Sequence, residues 1–399
     1  MKPKVALAFS GGLDTTYCAV YLRERGYDVC AVTVQTGGFD ETELRLIERR
    51  ASEAKVAEYK LIDGRAELFD STLKFLIFGN SLRGGVYPLC VSAERLVQAR
   101  CVAKFAVDHG CGALAHGSTG AGNDQVRFDV AFRVLAPLAE ILTPIRDLAL
   151  SREQETAYLA EHGIVIPPKT TEYSVNRGLW GATVGGKETH KSDGVLPEHA
   201  YVMTAGPGKR PAAPEWITID FLRGVPIAID GASRDPVTLL ESLNERGGTH
   251  GVGRGMHVGD TIIGIKGRVA FEAPAATILI AAHRELEKLV LSRQQAFWKQ
   301  TLGELYGSYV HEARFFDPLM RDIEAFLGSS QQRVTGRVNV ELHQGHATVL
   351  GANSPFSLMN PELAKYGESS SLWSGSEAAG FAKIYGLQEL LLERAATKP

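Results

Sequence analysis

KVALAFSGGLDTTYCAVYLRERG, residues 4–26, is the stretch that points to the fold. Residues 4–9 form an apolar run with no polar interruption after Lys4, as expected of a strand covered on both faces. Ser10-Gly11-Gly12 breaks that run, and a helical pattern follows from Asp14 to about Arg25, with Gly26 past its end. Working outward, residues 28–34 (DVCAVTV) read as the next short strand, 41–54 as a charged amphipathic helix and 56–62 (VAEYKLI) as another strand. A helix over 92–109 leads into CGALAHG at 111–117, a strand that opens onto a glycine-rich loop. This alternation predicts an α/β fold, a doubly wound parallel sheet that binds ligands at the carboxyl ends of its strands.

The texture changes at the proline pair in IVIPPK, residues 164–169. Residues 216–221, 225–230, 260–274 and 337–352 read as antiparallel strands and hairpins, with helices over 277–303 and 311–327 and a last helix from about Ser376 through 387–396. The expected organisation is a parallel-sheet α/β domain over 1–167, an α+β domain over 168–365 and a helical tail over 366–399.

At 399 residues, with 44% hydrophobic and 22% charged residues, the chain has the composition of a globular enzyme and the length for two cores. A net charge of -3 provides no broad basic surface, which argues against a nucleic-acid partner. Five cysteines, an odd number without a C-x-x-C pair, indicate neither a disulfide framework nor a zinc site. With no export signal and no apolar run of about 18 residues, the expected setting is the cytoplasm, away from membranes. His190, His199, His250 and His257 lack zinc-ligand spacing and are expected at the surface or in loops, and Arg49 and Arg50 on a solvated helix face.

Two loops carry the chemistry. In Ser10-Gly11-Gly12-Leu13-Asp14-Thr15-Thr16, the glycines let backbone N–H groups approach a phosphate, the hydroxyls add donors and the helix start favours negative charge. The bland alternative is that Asp14 simply caps a helix. No Walker A lysine follows. The second loop, His116-Gly117-Ser118-Thr119-Gly120-Ala121-Gly122-Asn123-Asp124-Gln125-Val126-Arg127-Phe128-Asp129, gathers glycines, hydroxyls, an amide, carboxylates and an arginine at a strand end. Such a loop can approach a nucleotide while offering both a cation acceptor and a carboxylate clamp. His116, beside it, reads as an orienting residue rather than an acid or base.

The first loop resembles that of the N-type ATP pyrophosphatases, and the second resembles H-G-x-T-G-K-G-N-D-Q-V-R-F-E of the argininosuccinate synthase family. The resemblance runs along essentially the whole chain, through Tyr87-Pro88-Leu89 with Arg95, Tyr173-Ser174, Leu179-Trp180-Gly181, Gly251-Val252-Gly253-Arg254, Gly264-Ile265-Lys266, Arg268, Glu272, Pro274, Thr348-Val349-Leu350-Gly351 and Gly380-Phe381. It implies an AMP- and pyrophosphate-forming ligase that uses ATP and Mg²⁺, joins aspartate to a ureido or carbonyl acceptor and assembles as a homotetramer. Carried over residue by residue, it assigns nucleotide contacts to Ala8, Phe9, Ser10, Gly11, Gly12, Asp14, Thr15, Thr16, Thr36 and Gly117. Aspartate contacts fall to Thr119, Asn123 and Asp124. Acceptor contacts fall to Tyr87, Ser92, Arg127, Ser174, Thr183 and Phe271, and catalytic roles to Asp14, Asp124 and Arg95. The metal ligands stay unassigned.

Departures from the family pattern cluster on the acceptor side. Gly259 stands for the glutamate of V-E-N-R and Phe271 for the tyrosine of Y-E-T-P. Asn176 and Gly178 replace the acid and asparagine of Y-S-x-D-x-N, Gly185 a later glutamate and Ala121 the lysine of the long motif. A buried ammonium without its carboxylate costs several kcal/mol, so the expected acceptor is a ureido or amide compound other than citrulline. The alternatives are citrulline itself, with Asp260 or Glu272 in place of the missing acid, and a nucleotide-binding paralogue without catalysis. A tRNA-thiolating enzyme shares the first loop but would need reactive cysteines and a basic face.

Overall fold

The structure is a computed structural model that describes residues 2–166, 173–368 and 372–397. Strands β1 (Lys4–Ala8), β2 (Asp28–Gln35), β3 (Glu58–Asp63), β4 (Ala113–Ala115) and β5 (Glu140–Leu142) form a parallel sheet in the order β3-β2-β1-β4-β5. Val5, Ala6 and Leu7 are fully buried, because helices cover both faces of the sheet. The chain winds outward from β1 to β3 and then returns to the other side of β1 at β4, so the strand order reverses between β1 and β4. Ser10–Thr16 follows β1 and His116–Asp129 follows β4, which brings both loops to the crevice where such sheets bind ligands.

The helices meet their sequence expectations in kind but not always in extent. Leu13–Glu24 begins one residue before Asp14 and has Gly12 at its N-cap, with no side-chain cap. Asp14 therefore does not cap it. The helix expected over 277–303 is two, Pro274–Val290 and Arg293–His311, because Ser292 and Gln295 form a capping box that starts a new helix. The helix expected over 311–327 starts only at Pro318, where Asp317 caps the amide of Leu319.

In the second part, β6 (Ser174–Gly178) and β7 (Gly181–Gly185) form a hairpin. Strands β8 (Glu215–Leu222), β9 (Val225–Ile229) and β10 (Ala232–Ser233) precede β11 (Arg254–Asp260) and β12 (Lys266–Glu272), with β13 (Gly336–His343) and β14 (His346–Asn353) last. They make two antiparallel sheets, β10-β9-β8-β13-β14 and β11-β12-β7-β6. The tip of the β6–β7 hairpin locks onto the parallel sheet: Leu179 N–H donates to the Thr36 carbonyl (2.8 Å) and Arg177 to that of Gly38 (2.9 Å). Gly37 and Gly38 permit this approach, since a Cβ at Gly38 would overlap the Arg177 carbonyl. Trp180, fully buried, donates to the Pro88 carbonyl at 2.7 Å.

Met1–Pro355 packs as one compact unit, and Phe356–Pro399 forms another. The expected domain boundary at 167/168 lies outside the described residues. The last segment holds two helices, Gly375–Tyr385 and Leu387–Ala396, separated at Gly386 rather than continuous.

Candidate active site

The two glycine-bearing turns touch: a Cβ on Gly117 would lie 3.2 Å from the Asp14 carbonyl carbon and 3.3 Å from its Cβ. Gly11 takes φ +63°, and a Cβ there would press on Ile47 at 3.1 Å, so glycine is required by both conformation and space. Ser10 N–H and hydroxyl both meet Thr15 Oγ1 at 3.3 Å, and Thr33 ties down the Phe9 carbonyl at 2.8 Å. Ala8 ends β1, while Thr16 is buried with an unpartnered hydroxyl. Arg50 donates to the Gly11 carbonyl. It was expected on a solvated face; instead the helix Glu41–Glu53 lies close enough behind the loop for this one arginine to brace it. With no side-chain cap on the following helix, the loop keeps the character of an anion cradle.

His116 accepts the Ser118 N–H on Nδ1 (3.2 Å), which leaves the proton on Nε2, aimed at Asp129 (2.9 Å). It orients the second loop. Asp124 lies at the start of the helix Asp124–Leu135, where Arg95 Nε donates to one carboxylate oxygen and Arg127 Nη1 to the other, each at 2.8 Å. Burial opposes this charge, but the two guanidinium groups outweigh it and hold the Asp124 carboxyl down at about 2. Arg95 also donates to Asn176 (2.8 Å) and Gln98 (3.0 Å), and Gln98 reaches the Thr36 hydroxyl (3.1 Å). The Thr36 hydroxyl in turn donates to Glu94 at 3.2 Å.

Glu94 is the least expected member of this chain of contacts. It is 2% exposed, its Oε1 has no hydrogen-bond partner, and burial pushes its carboxyl up to about 8 despite Arg95 nearby. Its carboxyl occupies the space a side chain at position 178 would fill, since a Cβ on Gly178 would overlap Oε1. The glycine that departs from the family pattern is thus explained by its neighbour.

Of the residues that the resemblance assigns to the acceptor, Tyr87, Ser92, Arg127, Phe271 and Thr183 are all buried. The Tyr87 and Phe271 rings lie 5.3 Å apart, and Phe271 pairs with Thr183 across β12 and β7. Arg127 donates to the His311 carbonyl (3.0 Å) and approaches His311 Nδ1 (3.3 Å). Ser174 is exposed at the outer end of β6, opposite Gly185, and Thr119 is exposed on its loop. Asn123 accepts the Ile262 N–H at 2.8 Å, which draws the β11–β12 turn down onto the second loop.

Two readings need correction. His257 is buried in a strand rather than at the surface or in a loop and stacks on Tyr87 with centroids 5.5 Å apart; His250 lies in a turn as expected, though buried against Glu215 (3.2 Å). Glu272 cannot stand in for a missing acid, because the N–H groups of Val202, Met203 and Thr204 and the Thr204 hydroxyl saturate its carboxylate. Asp260 stands exposed, paired with Lys266 at 2.7 Å. Sequence reasoning passed over Glu94 and His311, which have no motif, and read Arg50 only as part of a solvated helix face; for Glu94 the signal was a glutamate beside Arg95 in an otherwise apolar helix face.

Comparison with known proteins bears on the whole chain. Residues 4–165 match the arginosuccinate synthase N-terminal HUP domain, and 173–392 match the arginosuccinate synthase C-terminal domain. Argininosuccinate synthase of Methanocaldococcus jannaschii is 40% identical over 394 residues, 98% of each chain. Those of Pelodictyon phaeoclathratiforme and Chlorobium phaeobacteroides are 37% and 38% identical over 97% of this chain and 96% of theirs. The chain accordingly belongs to the argininosuccinate synthase family, ATP-dependent ligases that form a C–N bond.

Proposed function

We propose that this chain activates a ureido acceptor with ATP and joins it to the amine of aspartate, with citrulline the acceptor its relatives' names favour. The observation that carries this reading is the contact between the Ser10–Thr16 loop and Gly117, with Asn123, Asp124 and Arg127 following Gly117 in the same loop and helix. The ureido oxygen attacks the α-phosphorus and pyrophosphate leaves. The aspartate amine then attacks the activated carbon: a C–N bond forms, the C–O bond breaks, the oxygen departs on AMP and the amine's proton passes to solvent. Positioning and charge neutralisation carry the catalysis, without an enzyme nucleophile. In this reading the first loop and its helix start hold the phosphates, Asp124 and Asn123 receive aspartate, and Arg95 keeps Asp124 ionised and fixed in place.

Among the described residues, one neighbouring pair of carboxylates would suit the expected Mg²⁺. Glu155 is 2% exposed, its Oε2 has no partner, and burial together with the neighbouring Asp14 raises its pKa. Asp14 and Glu155 would hold the ion, which when bound neutralises phosphate charge. For assembly, the apolar residues exposed on Leu387–Ala396, including Leu390, Leu391 and Leu392, support the expected homotetramer.

A second reading, an acceptor other than citrulline, is favoured by the acceptor side, where Phe271 lacks a hydroxyl and Gly259 a carboxylate. The test is pyrophosphate release from ATP, aspartate and citrulline, with the nucleotide product identified. AMP with rapid citrulline turnover supports the first reading; ADP would sink both. ATP binding without pyrophosphate from any amine and carbonyl pair would leave a non-catalytic paralogue.

A further inference from the structure

His257 sits in a slot built for a planar ring. Tyr87 stacks on one face of it, and Gly84 approaches so closely that a Cβ there would lie 3.1 Å from Cε1. Its Nε2 leans over Gly259, 2.5 Å from where a Cβ would be, so no larger side chain can start at 259 while the imidazole is in place. His257 is 9% exposed and His311 7%, yet Nε2 of each has no hydrogen-bond partner. Two orphaned imidazole nitrogens beside Arg127, Ser92 and Tyr87 are expensive unless a ligand completes them.

His311 presents a donor, and His257 can present one. Arg127 Nη2 faces His311 Nδ1, so His311 carries its proton on Nε2. Burial, with Arg127 and Arg83 close by, takes His311 down to about 3, and burial with Arg83 lowers His257, so both rings are neutral. Asp260's backbone lies near enough to His311 to oppose this lowering, but no hydrogen bond closes on Nε2. Of the carboxylates around the slot, Asp124 is held by Arg95 and Arg127, Glu272 by main-chain amides and Asp260 by Lys266, while Glu94, raised to about 8, is turned away toward Thr36 and Gly178. An ammonium brought here would meet two arginines and no ionised carboxylate turned toward it; a carboxylate would meet Arg127, the Nε2–H of His311 and, in its Nε2–H tautomer, His257.

We infer that the acceptor site reads a ureido acid by its carboxylate alone, through Arg127 and the Nε2 groups of His257 and His311, with no subsite for an α-ammonium. This rests on the ligation reading above and narrows its acceptor class to ureido acids, whether or not they bear an amino group. The test compares citrulline with desamino-citrulline, which differs only in lacking that amino group, in pyrophosphate release by the full chain with ATP and aspartate. The expected kcat/KM for desamino-citrulline equals or exceeds that for citrulline, and His257→Phe, which keeps a flat ring in the slot, lowers it by about tenfold, mainly through KM. A preference for citrulline of more than about tenfold overturns the inference and leaves the ligation reading standing. So does a His257→Phe chain with unchanged KM for desamino-citrulline. Release with neither acceptor overturns the inference, and the ligation reading falls with it when no other carbonyl acceptor yields AMP either.

Discussion

Replacing Glu94 with glutamine should stabilise the protein near neutral pH and do nothing in acid. In the folded chain burial raises this carboxyl from 4.5 to about 8, so between those values the unfolded chain has lost a proton that the native state still holds. The native state binds more protons there, and stability falls as pH rises through that window; below pH 4.5 both states are protonated and the penalty is gone. At about 1.4 kcal/mol per pH unit, keeping the group neutral near pH 7 costs about 3 kcal/mol. Glu94→Gln is neutral at every pH, keeps an oxygen for the Thr36 hydroxyl and keeps the shape that packs over Gly178. Thermal unfolding of both chains across this range should show Tm for the variant higher by roughly 3 °C near pH 7, given the entropy of unfolding of a chain this long. The difference should shrink steadily toward pH 4.5. A gain that does not change with pH, or a variant less stable than the parent at pH 7, would refute the assignment of Glu94 as a buried neutral acid.

Gly178→Asn should destabilise strongly because its Cβ overlaps Glu94, and Glu94→Ala added to it should recover most of the loss; strict additivity in a double-mutant cycle would refute the packing argument. Arg50→Met removes the brace on the Gly11 carbonyl and should raise KM for ATP by about tenfold with little change in the KM for aspartate, measured by pyrophosphate release. Asp124→Asn leaves Arg95 and Arg127 without their shared carboxylate and should lower kcat by at least about a hundredfold. Because the Asp124 carboxyl is held at about 2, below its usual 3.8, it adds stability above pH 3.8 that is lost as pH falls through 2, and acid unfolding of the variant should lack that component.

Much of this protein is local and was therefore legible in its sequence. Apolar runs of strand length alternating with helical periodicity specified a parallel sheet, because burial on both faces demands that pattern. Ser10-Gly11-Gly12 and Gly117 marked the loops that meet at its centre, since only glycine tolerates φ +63° against Ile47 or the close approach to Asp14. The hairpins over 216–229 and 337–352 were also readable from their alternation.

What the tertiary structure alone decided is which polar groups meet across the chain. Gly178 looked like a lost asparagine until Glu94, 84 positions earlier, proved to fill its space. Gly259 looked like a lost acid until His257 turned out to lie over it, and Glu272 looked available until three main-chain amides claimed it. Periodicity and turn chemistry act between neighbours in sequence, whereas the state of a buried charge depends on desolvation and on partners brought from other elements. Those partners are set by packing between segments, so sequence could name the residue types at this site but not the pairs they form.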